Sequence, residues 1–338
     1  MKAAVYKGNQ TIKIEEIDTP QPGPKQVLIK LNFSAICGTD VHAYMYDALP
    51  IGTVMGHEYC GTIVEIGKDV TKLKINDRVV GGGGTPPPGK GAGFAILPRF
   101  NYRVDGFKGK PIRAYAEYIV MEEWEPMKIP DSVSDPHAAL CEPLAVAVRA
   151  VRLSKLTIGG KIGIIGAGPI GLFLTQVAKI SGALEIIVSE PSKLRRETAS
   201  ILGATKVLNP KKSDLVENLV SICDGLGADI VYDCACVNNT FNDALNGTKR
   251  NGQVMLVGVP WDNIFFKPID WQAREISIKS TFGAHPEDWK IAMKLIESKK
   301  IDLDMMLPKE SFIKLEEIPQ IFEKLKTPTD ELQMIVEL

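Results

Sequence analysis

The 338-residue chain carries 40 basic and 41 acidic side chains, for a formal net charge of −1. A balance this even gives no general attraction to nucleic acid or to an anionic membrane. At 45% hydrophobic and 24% charged residues, the composition excludes a disordered or fibrous chain, and the length predicts two domains or one large domain with an insertion.

The first residues, "MKAAVYKGNQ", hold no apolar stretch of signal-peptide length. Six cysteines lie scattered along the chain, so reduced thiols and a cytoplasmic location are expected rather than a disulfide framework. The longest apolar run, Ile162 to Ala178, contains four glycines and a proline. A buried strand, turn and helix explain it better than a membrane span.

In chain order, residues 1 to about 80 read as β-rich: "QVLIKLNFSAIC" and "YCGTIVEIG" mix β-branched and apolar residues between turn signals. Strand character resumes at "RAYAEYIVM". From "EPLAVAVRAVRLS", a helix by spacing, the pattern alternates. "KIGIIGAGPIGLFLTQVAKISGA" predicts strand, turn and helix; "LEIIVSE" a strand; "PSKLRRETASILGA" a helix with Pro191 at its start. "ADIVYDCA" is a strand, "NTFNDALNGTK" a helix and "GQVMLVGVP" a strand. Such alternation implies a parallel sheet covered on both faces. "PEDWKIAMKLIESKK" is a further helix and "LQMIVEL" a final strand. The fold class is therefore α/β. A doubly wound α/β domain is expected over residues 146–281, set into a β-rich domain of residues 1–145 to which 282–338 return.

Residues Gly84 to Gly91, "GTPPPGKG", nearly match a phosphate-binding loop. The position after Lys90 is Gly91, so the hydroxyl that holds magnesium is missing. Pro86, Pro87 and Pro88 lack the N–H groups that cradle phosphate, and no apolar helix follows.

The dinucleotide signal lies elsewhere. Gly166, Gly168 and Gly171 form G-x-G-x-x-G between an apolar strand and an apolar helix. The glycines supply the turn, a close approach to pyrophosphate and tight helix–strand packing. The helix N-terminus adds N–H donors. Glu190, about twenty residues on, stands where an acid accepts from the adenosine ribose and repels a 2′-phosphate, which favours NAD over NADP. Arg195 follows five residues later and could cover the adenine or the ribose.

Three segments carry metal-ligand residue types: "CGTDVH" (Cys37 to His42), "GHEYCG" (Gly56 to Gly61) and "CEP" (Cys141 to Pro143). Cys37, His57 and a carboxylate from Glu58 or Glu142 would satisfy a catalytic zinc with an open position. Their spacing alone is not diagnostic, because a lone cysteine is more often a small buried apolar residue. Cys60, Cys141, Cys223, Cys234 and Cys236 read most simply as buried thiols, and His137 and His285 as structural.

In this order "CGTDVH", "GHE", "CEPLAV", "GAGPIG" and Glu190 resemble the zinc-dependent medium-chain alcohol/polyol dehydrogenases over essentially the whole chain. The carboxylate of "EPLAV" is closer to the sorbitol, butanediol and threonine dehydrogenase branch. The resemblance implies a Rossmann domain beside a GroES-like catalytic domain. It implies zinc held by Cys37 and His57, with Glu58 binding or approaching the metal and Glu142 at the third-ligand position. Thr39 would take the substrate proton and His42 would pass it to solvent through the nicotinamide ribose. Ile170, Val259 and Phe282 would line the nicotinamide and pyrophosphate. The implied reaction is Lewis-acid-assisted oxidation of a secondary alcohol with hydride transfer to NAD.

The chain also departs from the family pattern. Between Val80 and Ala114 there is no cysteine, so the four-cysteine lobe for a structural zinc is missing and one catalytic zinc per chain is expected. That segment is basic: Lys90, Arg99, Arg103, Lys108, Lys110 and Arg113 face a single acid, Asp105. It is either a solvated surface or a lobe that favours an anionic substrate. Ala43 and Gly283 replace the tyrosine and arginine that contact polyol in sorbitol dehydrogenases, which makes sorbitol itself a poor candidate. A zinc-free quinone or enone reductase on the same fold, using NAD(P)H, is the rival activity, and a non-catalytic nucleotide-binding protein the other. The resemblance further implies a homodimer or homotetramer, with "NIFFKP" as a candidate edge strand.

Overall fold

In the computed structural model, which describes residues 1–84, 113–327 and 329–338, the chain forms two main sheets and a hairpin. The hairpin pairs β1 (Lys2–Gly8) with β2 (Thr11–Glu16). The first main sheet is built on β3 (Gln26–Ala35), β4 (Glu58–Ile66), β5 (Arg78–Val80), β6 (Tyr118–Glu122) and β7 (Met127–Lys128). From the C-terminal region β14 (Phe312–Lys314) and β15 (Ile335–Glu337) join it, β15 running antiparallel to β3.

The second sheet is parallel, in the order β10-β9-β8-β11-β12-β13. Its strands are β8 (Lys161–Ile165), β9 (Glu185–Ser189), β10 (Lys206–Leu208), β11 (Ala228–Asp233), β12 (Thr248–Leu256) and β13 (Ser277–Ser280). This is a doubly wound order whose direction of growth reverses at β8, and ligands bind in the crevice beyond the strand ends at such a reversal. β8 and β9 are apolar runs buried on both faces, as a sheet covered on both sides requires.

Helices connect the sheets: α1 (Gly38–Met45), α2 (Asp135–Ala139), α3 (Cys141–Leu153), α4 (Pro169–Ile180), α5 (Lys193–Leu202), α6 (Leu215–Ile222), α7 (Asn238–Gly247), α8 (Pro268–Gln272), α9 (Pro286–Glu297) and α10 (Ile318–Leu325). A continuous core joins Leu144 and Val148 of α3, Phe173 of α4, Ile164, Tyr232 and Met293 to Cys60 and Val80 of the first sheet. Each such large side chain contributes about 2 kcal/mol by leaving water. Asp288, fully buried, is held by Arg149 and Arg152 and so pins α9 to α3. No helix among the described residues is long and apolar enough to cross a membrane.

Four expectations need correction. "NIFFKP" is not a strand. The Phe265 N–H donates to Asn238 Oδ1 and its carbonyl accepts from Asn242 Nδ2, so α7 side chains occupy this backbone; the edge of the parallel sheet on this side is β13. Pro191 does not open a helix: Ser192 is the cap, its Oγ accepting from Arg195 N at 3.2 Å. Thr248 and Lys249 belong to β12 rather than to the preceding helix. "RAYAEYIVM" becomes strand only from Tyr118, with Ala116 in an isolated bridge to Ala3. The basic segment from Lys90 to Lys110 lies outside the described residues. Of the glycine tract, Gly81 to Gly84 are described: a Cβ at Gly81 would meet Tyr59 at 2.2 Å and one at Gly82 would meet Trp289 at 2.4 Å. The tract is glycine there because two aromatic rings press on its backbone.

Candidate active site

The register of β3 and β4 brings the first cluster together. Ala35 pairs with Glu58, so Cys37, two residues past Ala35, lies beside Glu58 and His57. Cys37 then caps α1, its Sγ accepting from Thr39 N at 3.4 Å. Gly56, at φ 95°, turns the chain into β4; a Cβ there would meet Tyr115 Cδ1 at 2.8 Å. One ligand atom each from Cys37, His57 and Glu58 lie within 4.8 Å of one another. Glu142, in the first turn of α3, lines the same cavity.

Behind His57 stands a support that the sequence analysis did not single out. Asp40 Oδ2 is 3.5 Å from His57 Nδ1 and accepts from Tyr115 Oη at 2.8 Å. Asp40 is 2% exposed. A carboxylate in that place fixes the ring so that its other nitrogen faces a metal.

Burial and neighbouring charge shift the ionisation of the whole cluster. Withdrawal from water, and then Glu58, push the Cys37 thiol up to about 11. Burial, and then Glu142, push Glu58 up to about 8. Glu58 Oε2 is buried with no hydrogen-bond partner. Burial draws His57 down, but Asp40 and Cys37 outweigh it and hold the imidazole well above 6.5. Burial and like-charge repulsion hold the protons on the Cys37 thiol and the Glu58 carboxyl, while the anionic neighbours hold a proton on the imidazole; a divalent ion in their midst would favour loss of all three. The donors are those of a zinc site.

The cavity, about 360 Å³, joins this cluster to residues of the second sheet. Thr39 and His42 line its near side, while Ile170, Val259 and Phe282 line the other. His42 stands at the rim, its ring 5.8 Å from that of Trp261; partial withdrawal of the ring from water pulls its pKa below 6.5, against Gly38 and Asp262, which raise it. Trp261 also stacks on Tyr46 at 5.3 Å, and Tyr46 Oη donates to Asp262 Oδ2 at 2.8 Å. Trp261 follows β12 yet is buried in the cluster around α1 and β1, so it ties the two halves together beside His42. Tyr44 points away from the cavity, buried with its hydroxyl on Glu323.

At the crevice beyond β8, Gly166 takes φ 91°, and a Cβ on Gly171 would meet its carbonyl oxygen at 1.9 Å. Gly168 caps α4 in an extended conformation. Glu190 is buried; Oε2 accepts from Ala167 N at 2.7 Å and Oε1 from Ser192 N at 2.8 Å. The Arg195 guanidinium donates to the Glu331 carbonyl at 2.9 and 2.7 Å, with Nη1 3.9 Å from where a Gly168 Cβ would stand. Cys234, expected to be a plain buried thiol, is half-exposed and lines the cavity past the end of β11. Thr281 and Arg113 also line it. The sequence carries no signal for Thr281, whereas Arg113 belongs to the basic segment read as a possible lobe for an anionic substrate.

The zinc-binding dehydrogenase family matches residues 169–298, and the alcohol dehydrogenase GroES-like domain matches residues 23–131. The chain is 33% identical to an L-threonine 3-dehydrogenase of Pseudoalteromonas translucida, over 88% of this chain and 89% of that protein. It is 34% identical to a sorbitol dehydrogenase of Bacillus subtilis, over 78% and 76%. A structure described as a zinc-binding dehydrogenase of Sinorhizobium meliloti, bound to NADP, superposes with a TM-score of 0.85 at 28% identity, covering 100% of this chain and 99% of that one. The chain belongs to the zinc-dependent medium-chain alcohol/polyol dehydrogenase family.

Proposed function

We propose that this dehydrogenase oxidises a secondary alcohol of a polyol, a sugar-derived compound or a hydroxy acid, with NAD as acceptor, one catalytic zinc per chain and no structural zinc. What supports it most is the convergence of Cys37, His57 and Glu58 within 4.8 Å on a cleft whose far wall comes from the parallel sheet. Those three would hold the zinc, with Glu142 beside them as a donor, direct or through water. When bound, zinc supplies Lewis acidity that lowers the pKa of the alcohol, and the nicotinamide accepts the hydride.

The chain's own groups do the rest. The Thr39 hydroxyl accepts the substrate proton. His42, at the rim and lowered below 6.5, is neutral near pH 7 and can pass that proton outward by way of the nicotinamide ribose. Asp40 holds the His57 ring in orientation. The N–H groups of Ala167 and Ser192 fix the Glu190 carboxylate, whose remaining lone pairs accept from the adenosine ribose. A 2′-phosphate would meet that charge, which favours NAD. Gly166, Gly168 and Gly171 seat the pyrophosphate, with Arg195 alongside. Two of the relatives are named for threonine and sorbitol. Sorbitol is disfavoured here because Tyr44 points away from the cavity and position 283 is glycine. An anionic substrate would find Arg113 in the cavity wall. We expect a homodimer or homotetramer in the cytoplasm, with β13 offering an open sheet edge.

The test is kcat/KM with NAD and with NADP over neutral and phosphorylated polyols, hydroxy acids and 3-hydroxy amino acids. NAD should be preferred by about tenfold or more, and Glu190→Ala should narrow that margin. Equal use of both cofactors by the unaltered protein would refute the NAD assignment.

A further inference from the structure

Between Pro260 and Asp270 the chain leaves β12 and runs over the surface, and in that stretch Trp261 is the one buried side chain. It is 8% exposed and packs away from its own sheet, in the cluster that holds Val41, Ala43 and Tyr44 of α1. Its indole lies against two rings at the end of that helix. The Tyr46 ring is 5.3 Å away and nearly parallel at 14°, and the His42 ring is 5.8 Å away at 30°. Both separations are within the range at which aromatic rings attract. His42 and Tyr46 share one face of the helical turn, the Tyr46 N–H donating to the His42 carbonyl at 2.9 Å. Tyr46 Oη also donates to Asp262 Oδ2 at 2.8 Å, beside Trp261 in the chain.

An anchor between the two halves needs only apolar volume, which leucine would supply. The indole adds a flat face shared by His42 and Tyr46. A histidine on a helix surface turns about two side-chain bonds, and a relay works only while its ring nitrogen stays within hydrogen-bond reach of the group it serves. A flat ring against one side of the imidazole removes much of that freedom. The place of Trp261 in the chain adds a second link. Val257 and Val259 line the cleft, and Trp261 follows Val259 by two residues. The wall expected to face the nicotinamide and the ring beside His42 thus belong to one segment.

We infer that Trp261 is a positioning residue for the proton relay: its indole, steadied by Tyr46 and Asp262, holds the His42 ring in the orientation that passes the proton outward. This rests on the reading of His42 as that relay. Trp261 is not among the residues that line the cleft, so it acts through His42.

The test compares zinc-loaded Trp261→Leu, which keeps apolar volume, Trp261→Phe, which keeps a flat ring, and His42→Gln. Oxidation is followed with the compound of the panel above that gives the highest kcat/KM. At pH 7 Trp261→Leu should lose about tenfold in kcat/KM and Trp261→Phe less than about threefold. The Trp261→Leu deficit should shrink by about pH 9, where hydroxide takes the proton directly, while NADH affinity stays within about twofold. In the His42→Gln background Trp261→Leu should add nothing further. Tyr46→Leu removes the stack from an exposed residue and leaves the core intact; it should show the same deficit in smaller measure, and it serves if Trp261→Leu does not fold. A readout without turnover is the imidazole NMR signals of the four histidines. The His42 ring protons, assigned by their loss in His42→Gln, should be displaced by the indole ring current and should move back in Trp261→Leu. Undisplaced His42 signals in the unaltered protein would overturn the inference, as would a full additional loss in the double variant. Loss of NADH binding in step with turnover would make Trp261 a packing anchor and overturn it too. If His42→Gln lost activity and Trp261→Leu did not, the inference alone would fall. If His42→Gln were as active as the unaltered protein, the relay reading would fall and the inference with it.

Discussion

The two sides of the cleft are made in different ways. On the zinc side the chemistry sits in side chains from separate segments, and only the pairing of Ala35 with Glu58 brings Cys37 to His57 and Glu58. On the dinucleotide side it sits in backbone: Gly166, Gly168 and Gly171 lie within six residues at one strand-to-helix turn, and shape rather than charge defines them. The first side depends on a metal to balance a crowd of ionisable groups. The second needs none, because N–H groups and a helix terminus are its donors. Damage should therefore separate: changes near Cys37 should cost metal and turnover, and changes near Gly166 should cost dinucleotide binding.

The largest expected effect is at Cys37. Cys37→Ser or His57→Ala should lose bound zinc and about a thousandfold or more in kcat/KM while still binding NADH, read by metal analysis and fluorescence titration. Loss of NADH binding at the same time would erase the contrast between the two sides. Gly171→Ala should do the reverse. Its new Cβ would meet the Gly166 carbonyl at 1.9 Å, so the turn must open, with about 3 kcal/mol or more of stability lost and NADH binding weakened. Folded Gly171→Ala protein should keep its zinc.

Asp40→Asn should have an intermediate effect. The ligands remain, but the carboxylate facing His57 is gone, so zinc affinity should fall about 10–100-fold by chelator competition. The smallest effect is at Asp233, whose carboxylate accepts from Ala235 N and Cys236 N and so supports the loop carrying Cys234. Burial, only partly offset by those N–H groups and Thr240, raises its pKa to about 6 from 3.8. The folded state therefore holds this proton more tightly than the unfolded state. Its contribution to stability is fully present below about pH 4 and is lost as the pH rises through about 6. Asp233→Asn should flatten that part of the curve relative to the unaltered protein in urea unfolding at pH 4.5 and 7; an unchanged slope would show that Asp233 ionises normally.

The same contrast explains what the sequence could reveal. The glycine turn, β8 and Glu190 were legible because contiguous backbone geometry needs particular residues at fixed spacing. Cys37, His57, Glu58 and Glu142 were legible as residue types, and the family resemblance supplied their roles, but their proximity depends on strand register. Asp40 lies within "CGTDVH" with no local sign that it supports His57, because its partner Tyr115 is 75 residues away. Trp261, Cys234 and Thr281 carry no local signal; strand ends put Cys234 and Thr281 at the cleft, and a crossing segment puts Trp261 against His42. "NIFFKP" has strand composition, but Asn238 and Asn242 occupy its hydrogen bonds.

The most direct measurement is zinc per chain in freshly purified protein, with NAD-linked alcohol oxidation followed before and after chelation. One zinc per chain, lost together with activity and restored with it, is the predicted result. Activity that persists in zinc-free protein would contradict the account and point to a zinc-free reductase on the same fold.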